Sequence, residues 1–119
     1  MTLGATMDDD RGPVSVLIVD DDANWAQLAA RLLNKTEWAF EVVTATDAVE
    51  ALETVRTDPP DCVVSDFRMP ELTGIEFLRE VREVHPELPF VIVTSKGDES
   101  VASRAIAEGV TDYIPKGYD

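Results

Sequence analysis

Polar residues that can do chemistry follow apolar runs at several points of this 119-residue chain. Asp20 and Asp21 come directly after the first such run, and Asp66 comes after the third. Thr94 and Lys116 close two later runs. If the runs are parallel strands of one sheet, their carboxyl ends lie along one edge, where open α/β sheets bind ligands. We therefore expect the five side chains to share one site.

Three carboxylates in one site repel each other, so they need protons, a cation or a hard metal ion bound through oxygen. Mg²⁺ is the natural candidate, because the single histidine and the single cysteine are not placed for a zinc site. The Asp20–Asp21 pair suits a metal. Thr94 and Lys116 facing it would complete a pocket for a dianionic phosphoryl group. Asp66 stands alone at its strand end and is the candidate nucleophile, forming an acyl phosphate.

Alternating strand and helix patterns position these residues. Short β-branched runs predict strands near residues 14–19, 40–43, 62–65, 90–93 and 111–116. Residues at helical spacing predict helices that begin near residues 22, 47, 73 and 98. The connections are too short for anything but crossovers, so the predicted class is α/β, with helices on both faces of a parallel sheet. Pro115 within the last strand places that strand at the sheet edge.

Local signals distinguish the predicted helices from one another. Thr73 and Glu76 have the spacing of a capping box. In the first helix Trp25, Leu28 and Leu32 recur at helical spacing, and we expect them in the core rather than in a cofactor site. The fourth helix has few apolar residues, so we expect it to be mobile or to pack on a partner.

Composition and charge limit the classes of protein. With 45% hydrophobic and 29% charged residues, the chain suits one globular domain. Ten basic residues minus 24 acidic residues give a net charge of -14, which argues against direct binding of nucleic acid. Two explanations stay open: a halophilic source with strong salt dependence, or an acidic site plus an acidic tail. The lone Cys62 excludes an internal disulfide and favours a reducing cytoplasm.

The amino-terminal segment leads to a further expectation. Residues 1–13 lack the pattern of a secretory signal and are predicted to be a flexible acidic leader. No run of about 18 apolar residues predicts a transmembrane helix, so we expect no membrane contact. The folded domain is predicted to occupy residues 14–119.

The order and spacing of the polar motifs resemble those of a response-regulator receiver domain, the phosphoacceptor half of two-component signalling. The resemblance covers residues 14–117. Its motifs are Val-Asp-Asp-Asp at 19–22, Ser-Asp-Phe-Arg-Met-Pro at 65–70, Thr-Gly at 73–74, Val-Thr-Ser at 93–95, and Tyr113 three residues before Lys116. It implies a flavodoxin-like, doubly wound sheet of five parallel strands in the order 2-1-3-4-5. It also implies a last helix that this chain lacks, through truncation or because a neighbouring molecule covers that surface.

The resemblance assigns the residues of phosphoryl transfer. Asp66 would accept the phosphoryl group from a sensor histidine kinase, and Lys116 would contact it. Asp20 and Asp21 would bind Mg²⁺ together with Asp66 and the backbone carbonyl of Arg68. The domain would promote its own phosphorylation and dephosphorylation without being a turnover enzyme.

The resemblance also implies a switch and a set of partners. Thr94 would contact the phosphoryl group and move toward it, and Tyr113 would turn into the space that Thr94 leaves. The altered surface would signal to an output domain or effector that the sequence does not identify. A homodimer is compatible with the same resemblance.

Other interpretations stay open. Asp20 and Asp22 have the spacing of an aspartate-nucleophile phosphatase, although no substrate-capping insertion follows. A receiver-like interaction module that is never phosphorylated is the second alternative. Taken alone, the aspartates at 20–22 also fit an ordinary acidic helix N-terminus. A nucleotide cofactor is excluded, because no glycine-rich loop follows the first strand.

Overall fold

The computed structural model describes residues 12–69, 71–94 and 100–116, in which strands and helices alternate. The strands are β1 (Val14–Val19), β2 (Phe40–Ala45), β3 (Cys62–Asp66), β4 (Phe90–Thr94) and β5 (Asp112–Pro115). The helices are α1 (Ala23–Asn34), α2 (Ala48–Thr57), α3 (Gly74–Val84) and α4 (Val101–Ala107). The predicted start of the fourth helix near residue 98 lies outside the described residues. Across the described ranges, no helix has both the length and the apolar character needed to cross a membrane.

The sheet has the predicted topology. Its five strands are parallel and lie in the order β2-β1-β3-β4-β5. The register pairs Asp66 with Val93 and Thr94 with Pro115, so the carboxyl ends of three neighbouring strands lie along one edge. β5 is an edge strand. Pro115 is tolerated there because no further strand lies beside β5 in the sheet to need the backbone N–H that proline lacks.

The larger core lies between one face of the sheet and helices α2 and α3. Strand residues on that face alternate with residues on the other face, as a pleated sheet requires. The Phe77 and Phe90 rings meet edge to face, with centroids 5.5 Å apart and planes at 60°. Other fully buried members of this core are Leu17, Val55, Val63, Ile75, Leu78, Val81 and Ile92.

The opposite face of the sheet packs on α1, but not through the residues that the sequence pattern indicates. The expectation that Leu28 and Leu32 lie in the core is wrong, because they are 48% and 56% exposed. On α1, Ala26 is buried, and Trp25, Ala29, Ala30 and Leu33 are partly buried against the same small core. The packed face of the helix therefore consists mainly of small residues, and the two leucines lie outside it.

Side chains fix the starts of three helices. Asp22 caps α1 by accepting from the backbone N–H groups of Asn24 and Trp25. Asp47 caps α2 in the same way. The predicted capping box of α3 is confirmed: Thr73 accepts from the Glu76 N–H at 3.1 Å, and the Glu76 carboxylate accepts from the Thr73 N–H at 2.9 Å.

Helix α4 has the weak apolar face that the sequence predicts. Ala105 is buried, but Ile106 is mostly exposed. Polar contacts hold its carboxyl end instead. The Arg82 guanidinium on α3 donates to the carbonyls of Leu88 (2.7 Å) and Gly109 (3.0 Å), and Arg79 forms an ion pair with Glu108 at 2.8 Å. Gly109 ends the helix with φ +90°, a conformation that favours glycine.

The packing of α1 on the sheet yields a prediction for stability. Ala26→Leu should lower the free energy of unfolding by about 1–3 kcal/mol, because the larger side chain has no space against the sheet. Leu28→Ala should cost no more than about 1 kcal/mol, because half of the leucine is already in water. Urea denaturation of the two variants measures both values. A larger loss for Leu28→Ala than for Ala26→Leu would contradict the packing described here.

Candidate functional site

Three aspartates converge at the carboxyl edge of the sheet. Asp20 directly follows β1, and Asp66 is the last residue of the neighbouring strand β3. One carboxylate oxygen from each of Asp20, Asp21 and Asp66 lies within 4.8 Å of the others. Asp20 and Asp66 are buried, whereas Asp21 is exposed. The predicted cluster therefore has two carboxylates in the protein interior and a third open to solvent.

Lys116 reaches this cluster from the end of the edge strand β5. Its backbone N–H donates to the Thr94 carbonyl at 2.7 Å, which continues the β4–β5 pairing by one residue. Its Nζ lies 3.0 Å from Asp20 Oδ2 and 3.7 Å from Asp66 Oδ1, and the side chain is only 18% exposed. The structure thus brings together four of the five side chains singled out from the sequence, Thr94 being placed beside them by its backbone.

The two oxygens of Asp20 have different surroundings. Oδ1 accepts from the backbone N–H of Asp22 at 2.8 Å. Oδ2 is buried and, among the described residues, has no aligned hydrogen bond, although it forms the close ion pair with Lys116. A buried carboxylate oxygen without an aligned donor retains a lone pair that a cation can use.

The donor set of the cluster fits a hard divalent cation. Three carboxylates and one ammonium sum to a charge of -3 + 1 = -2, which a divalent ion balances. All three candidate ligand atoms are carboxylate oxygens, the type that Mg²⁺ prefers. Arg68 lies two residues after Asp66 in the β3–α3 loop, and the role of its carbonyl stays a prediction.

Burial and like charge change the ionisation of the site. Desolvation, followed by the charge of Asp20, raises the pKa of Asp66 from 3.8 to about 6, and Lys116 opposes this rise. Burial alone would lower the pKa of Lys116, but its close contact with the Asp20 carboxylate and the charge of Asp66 raise that pKa above 10.5. At neutral pH the ammonium is therefore charged, and the carboxylate of Asp66 is ionised but poorly solvated.

A glycine lets α3 approach the backbone of the candidate nucleophile. A Cβ placed on Gly74 would lie 2.7 Å from the Asp66 carbonyl oxygen and 3.0 Å from the Phe67 Cα. The Gly74 N–H donates to the Phe67 carbonyl at 2.7 Å. Since real Cβ contacts are essentially never under 3.0 Å, any larger residue would push the capped start of α3 away from Asp66. The Thr73–Gly74 pair of the sequence therefore positions the loop that follows β3.

The two residues of the predicted switch lie on one face of the sheet. Tyr113 pairs with Ile92, and Thr94 lies two residues further along β4. Because strand residues two apart share a face, Thr94 and Tyr113 both project toward the side of the larger core. Thr94 is buried and Tyr113 is half-buried. Their adjacency suits a coupled movement, which stays a prediction.

The sequence does not indicate that Trp25 lies beside the site, whereas it does indicate the role of Asp22 at a helix start. The Lys116 Nζ lies over the Trp25 ring, 4.7 Å from its centroid. The available signal was the position of Trp25, three residues into the helix that begins beside Asp20. Asp22 acts as the cap of α1, so the ordinary helix-start interpretation holds for this aspartate.

A five-stranded sheet of order 2-1-3-4-5 with this acidic edge defines a receiver domain of the flavodoxin-like type. The family model described as response regulator receiver domain matches residues 16–119, so the chain belongs to that family. The receiver-domain interpretation and its predicted fold are thereby confirmed.

Similar proteins agree with this assignment. Transcriptional regulatory protein ZraR of Klebsiella oxytoca is 36% identical over 89% of this chain, and response regulator MprA of a Mycobacterium species is 35% identical over 89%. The chain spans 24% and 45% of those relatives. The crystal structure of a receiver domain protein from Clostridium thermocellum is 30% identical and has a TM-score of 0.80, covering 89% of this chain and 84% of that one.

The raised pKa of Asp66 predicts how stability depends on pH without metal. The folded pKa of about 6 exceeds the ordinary 3.8, so Asp66 stabilises the fold fully below pH 3.8 and loses this contribution as pH rises through 6. The loss should be about 1–2 kcal/mol after allowance for solvent screening. Urea denaturation at pH 4 to 8 in a chelator, with Asp66→Asn as the control, isolates this contribution. Equal pH profiles for the two proteins would contradict it.

Proposed function

We propose that this domain accepts a phosphoryl group on Asp66 from a sensor histidine kinase in a Mg²⁺-dependent reaction, and that its surface then changes to signal downstream. The supporting observation is the convergence of Lys116 Nζ with the Asp66 carboxylate, 3.7 Å apart, inside the acidic cluster. Chain residues 50 positions apart are brought together at this edge. Groups that strongly perturb each other's ionisation in this way are concentrated at functional sites.

The chemistry assigned to the chain is nucleophilic attack followed by charge neutralisation. An Asp66 carboxylate oxygen forms a bond to phosphorus while the bond from phosphorus to the donor atom breaks, and the leaving group keeps that electron pair and takes a proton from solvent. The Lys116 ammonium stabilises the equatorial phosphoryl oxygens as their charge develops. The Thr94 hydroxyl, at the end of the neighbouring strand, is assigned a hydrogen bond to one of these oxygens.

Asp20, Asp21 and Asp66, with the Arg68 carbonyl, are the proposed ligands of Mg²⁺. A bound Mg²⁺ ion supplies electrostatic shielding between the incoming phosphoryl oxygens and the carboxylates. The chain's own contribution is to hold the carboxylates in place: Asp22 donates to Asp20, and Gly74 keeps the backbone of Asp66 against α3. Two observations support a divalent ion: the Oδ2 of Asp20 accepts no aligned hydrogen bond from the described residues, and the cluster with Lys116 carries a charge of -2.

Movement of Thr94 and Tyr113 is the proposed output of phosphorylation. Both lie on the same face of the sheet as Ile92, which shares the larger core with Ala105 of α4. That helix buries Ala105 but exposes Ile106, so its contact with the sheet is easily changed. We assign the downstream partner to this part of the surface, as an output domain, a separate effector or a second copy of the chain.

Two alternatives fit the structure less well. A domain that only binds partners would not need the buried ion pair between Lys116 and Asp20. A phosphatase of the aspartate-nucleophile type would use Asp22 beside Asp20, but the Asp22 carboxylate is occupied as the cap of α1. We therefore favour a phosphoacceptor that does not turn over a separate substrate, in the cytoplasm.

Phosphorylation is tested directly by mass. The protein incubated with acetyl phosphate and Mg²⁺ should gain one phosphoryl group, and both Asp66→Asn and omission of Mg²⁺ should abolish the gain. Intact-mass spectrometry measures each result. Asp22→Asn, which keeps an oxygen for the helix cap, should still be phosphorylated. An undiminished gain in Asp66→Asn would contradict the assigned acceptor.

The net charge of -14 predicts a dependence on salt. If repulsion among the acidic side chains limits stability, as in a protein from a halophile, added KCl should raise the Tm. The physical reason is that the Debye screening length falls from about 10 Å at 0.1 M salt to about 3 Å at 1 M. Calorimetry from 0.1 to about 3 M KCl measures the change. A flat response would favour the alternative of a local acidic site with an acidic tail.

A further inference from the structure

Trp25 contacts the lysine of the site through its aromatic ring. The Lys116 Nζ is 4.7 Å from the centroid of the Trp25 ring, within the range of a cation–π interaction. The same Nζ is 3.0 Å from Asp20 Oδ2 and 3.7 Å from Asp66 Oδ1. The ammonium is therefore held by two anions and by one aromatic face.

Lys116 needs such support because of its long reach. It follows β5, which lies three strands away from β1 in the sheet. Neighbouring strands are about 4.8 Å apart, so the flexible stem must extend across the edge of the sheet to reach Asp20. A free lysine stem has many rotamers, and each one that leaves the cluster removes the positive charge from the acceptor.

Trp25 is itself fixed in place. Its backbone N–H donates to the Asp22 carboxylate at 3.2 Å as part of the cap of α1. Its side chain is half-buried and packs against the small core that includes Ile18 and Ala26. A ring held by both the helix start and the core presents a rigid surface to a mobile side chain. It also excludes water from one side of the ammonium, which strengthens the nearby electrostatic interactions.

We infer that Trp25 is a positioning residue, whose ring face keeps the Lys116 ammonium beside Asp66 in readiness for the phosphoryl group. The inference rests on the proposed function, since it concerns the same lysine and acceptor. Trp25 acts through Lys116. Because the ring lies against that ammonium, its fluorescence reports the position of Lys116.

Graded substitution of Trp25 tests the kinetic consequence. The interaction with a cation weakens from tryptophan to phenylalanine and vanishes in leucine. At saturating acetyl phosphate and Mg²⁺, Trp25→Leu should lower the first-order rate of phosphoryl acceptance about three- to tenfold, and Trp25→Phe should lower it less. Trp38→Phe is the matched control and should leave the rate unchanged, because Trp38 is 69% exposed and lies just before β2, at the edge of the sheet opposite the site. Equal rates for wild type and Trp25→Leu overturn the inference.

Fluorescence separates positioning from a merely structural role. In the Trp38→Phe protein, Trp25 is the single tryptophan, since the chain has two. Adding Lys116→Met should change the emission of Trp25, whereas the same substitution in the Trp25→Phe protein should leave the emission of Trp38 unchanged. Urea denaturation confirms that each variant is folded. A Trp25 emission that does not respond to Lys116→Met overturns the inference.

The two arms also distinguish failure of the inference from failure of the proposed function. A wild-type protein that gains no phosphoryl group overturns the proposed function. The contact between Trp25 and Lys116 is then decided by the spectral comparison alone, which needs neither donor nor Mg²⁺.

Discussion

Repulsion among carboxylates is the constraint on which the site depends. Asp20 and Asp66 lie buried at the ends of neighbouring strands, where their charges are poorly solvated and close together. Lys116 compensates only part of this charge, and the remainder is what supports the proposed binding of a divalent cation at this edge. Stability is thus given up at one edge of the sheet, and the compact apolar core on the α2–α3 side compensates for the loss.

The sequence was most informative where one local signal determines one structure. Short β-branched runs predict buried parallel strands, and a polar residue at the end of each run predicts the edge where ligands bind. For that reason the sequence alone predicts that Asp20, Asp66 and Lys116 lie together. The capping box of Thr73 and Glu76 was equally clear, because both of its hydrogen bonds are made within four residues.

The sequence was less informative where packing between distant segments decides the outcome. Periodicity along α1 indicates an apolar stripe, but it does not show which apolar residues of the stripe meet the sheet. Leu28 and Leu32 fit the periodicity, yet Ala26 and Leu33 are on the packed side. The contact between Trp25 and Lys116 was hidden for a related reason: 91 residues separate them in the chain, and only the sheet order brings them together.

The guanidinium of Arg82 has a consequence for how α4 can move. It donates to the Gly109 carbonyl, just beyond the end of this helix, and to the Leu88 carbonyl, just before β4. The ion pair between Arg79 and Glu108 adds a second contact between α3 and the end of α4. The carboxyl end of α4 is thereby tethered to α3 on a rigid part of the fold. If α4 were to tilt, these contacts would hold the end near Gly109, and the displacement would be larger at the amino end of the helix.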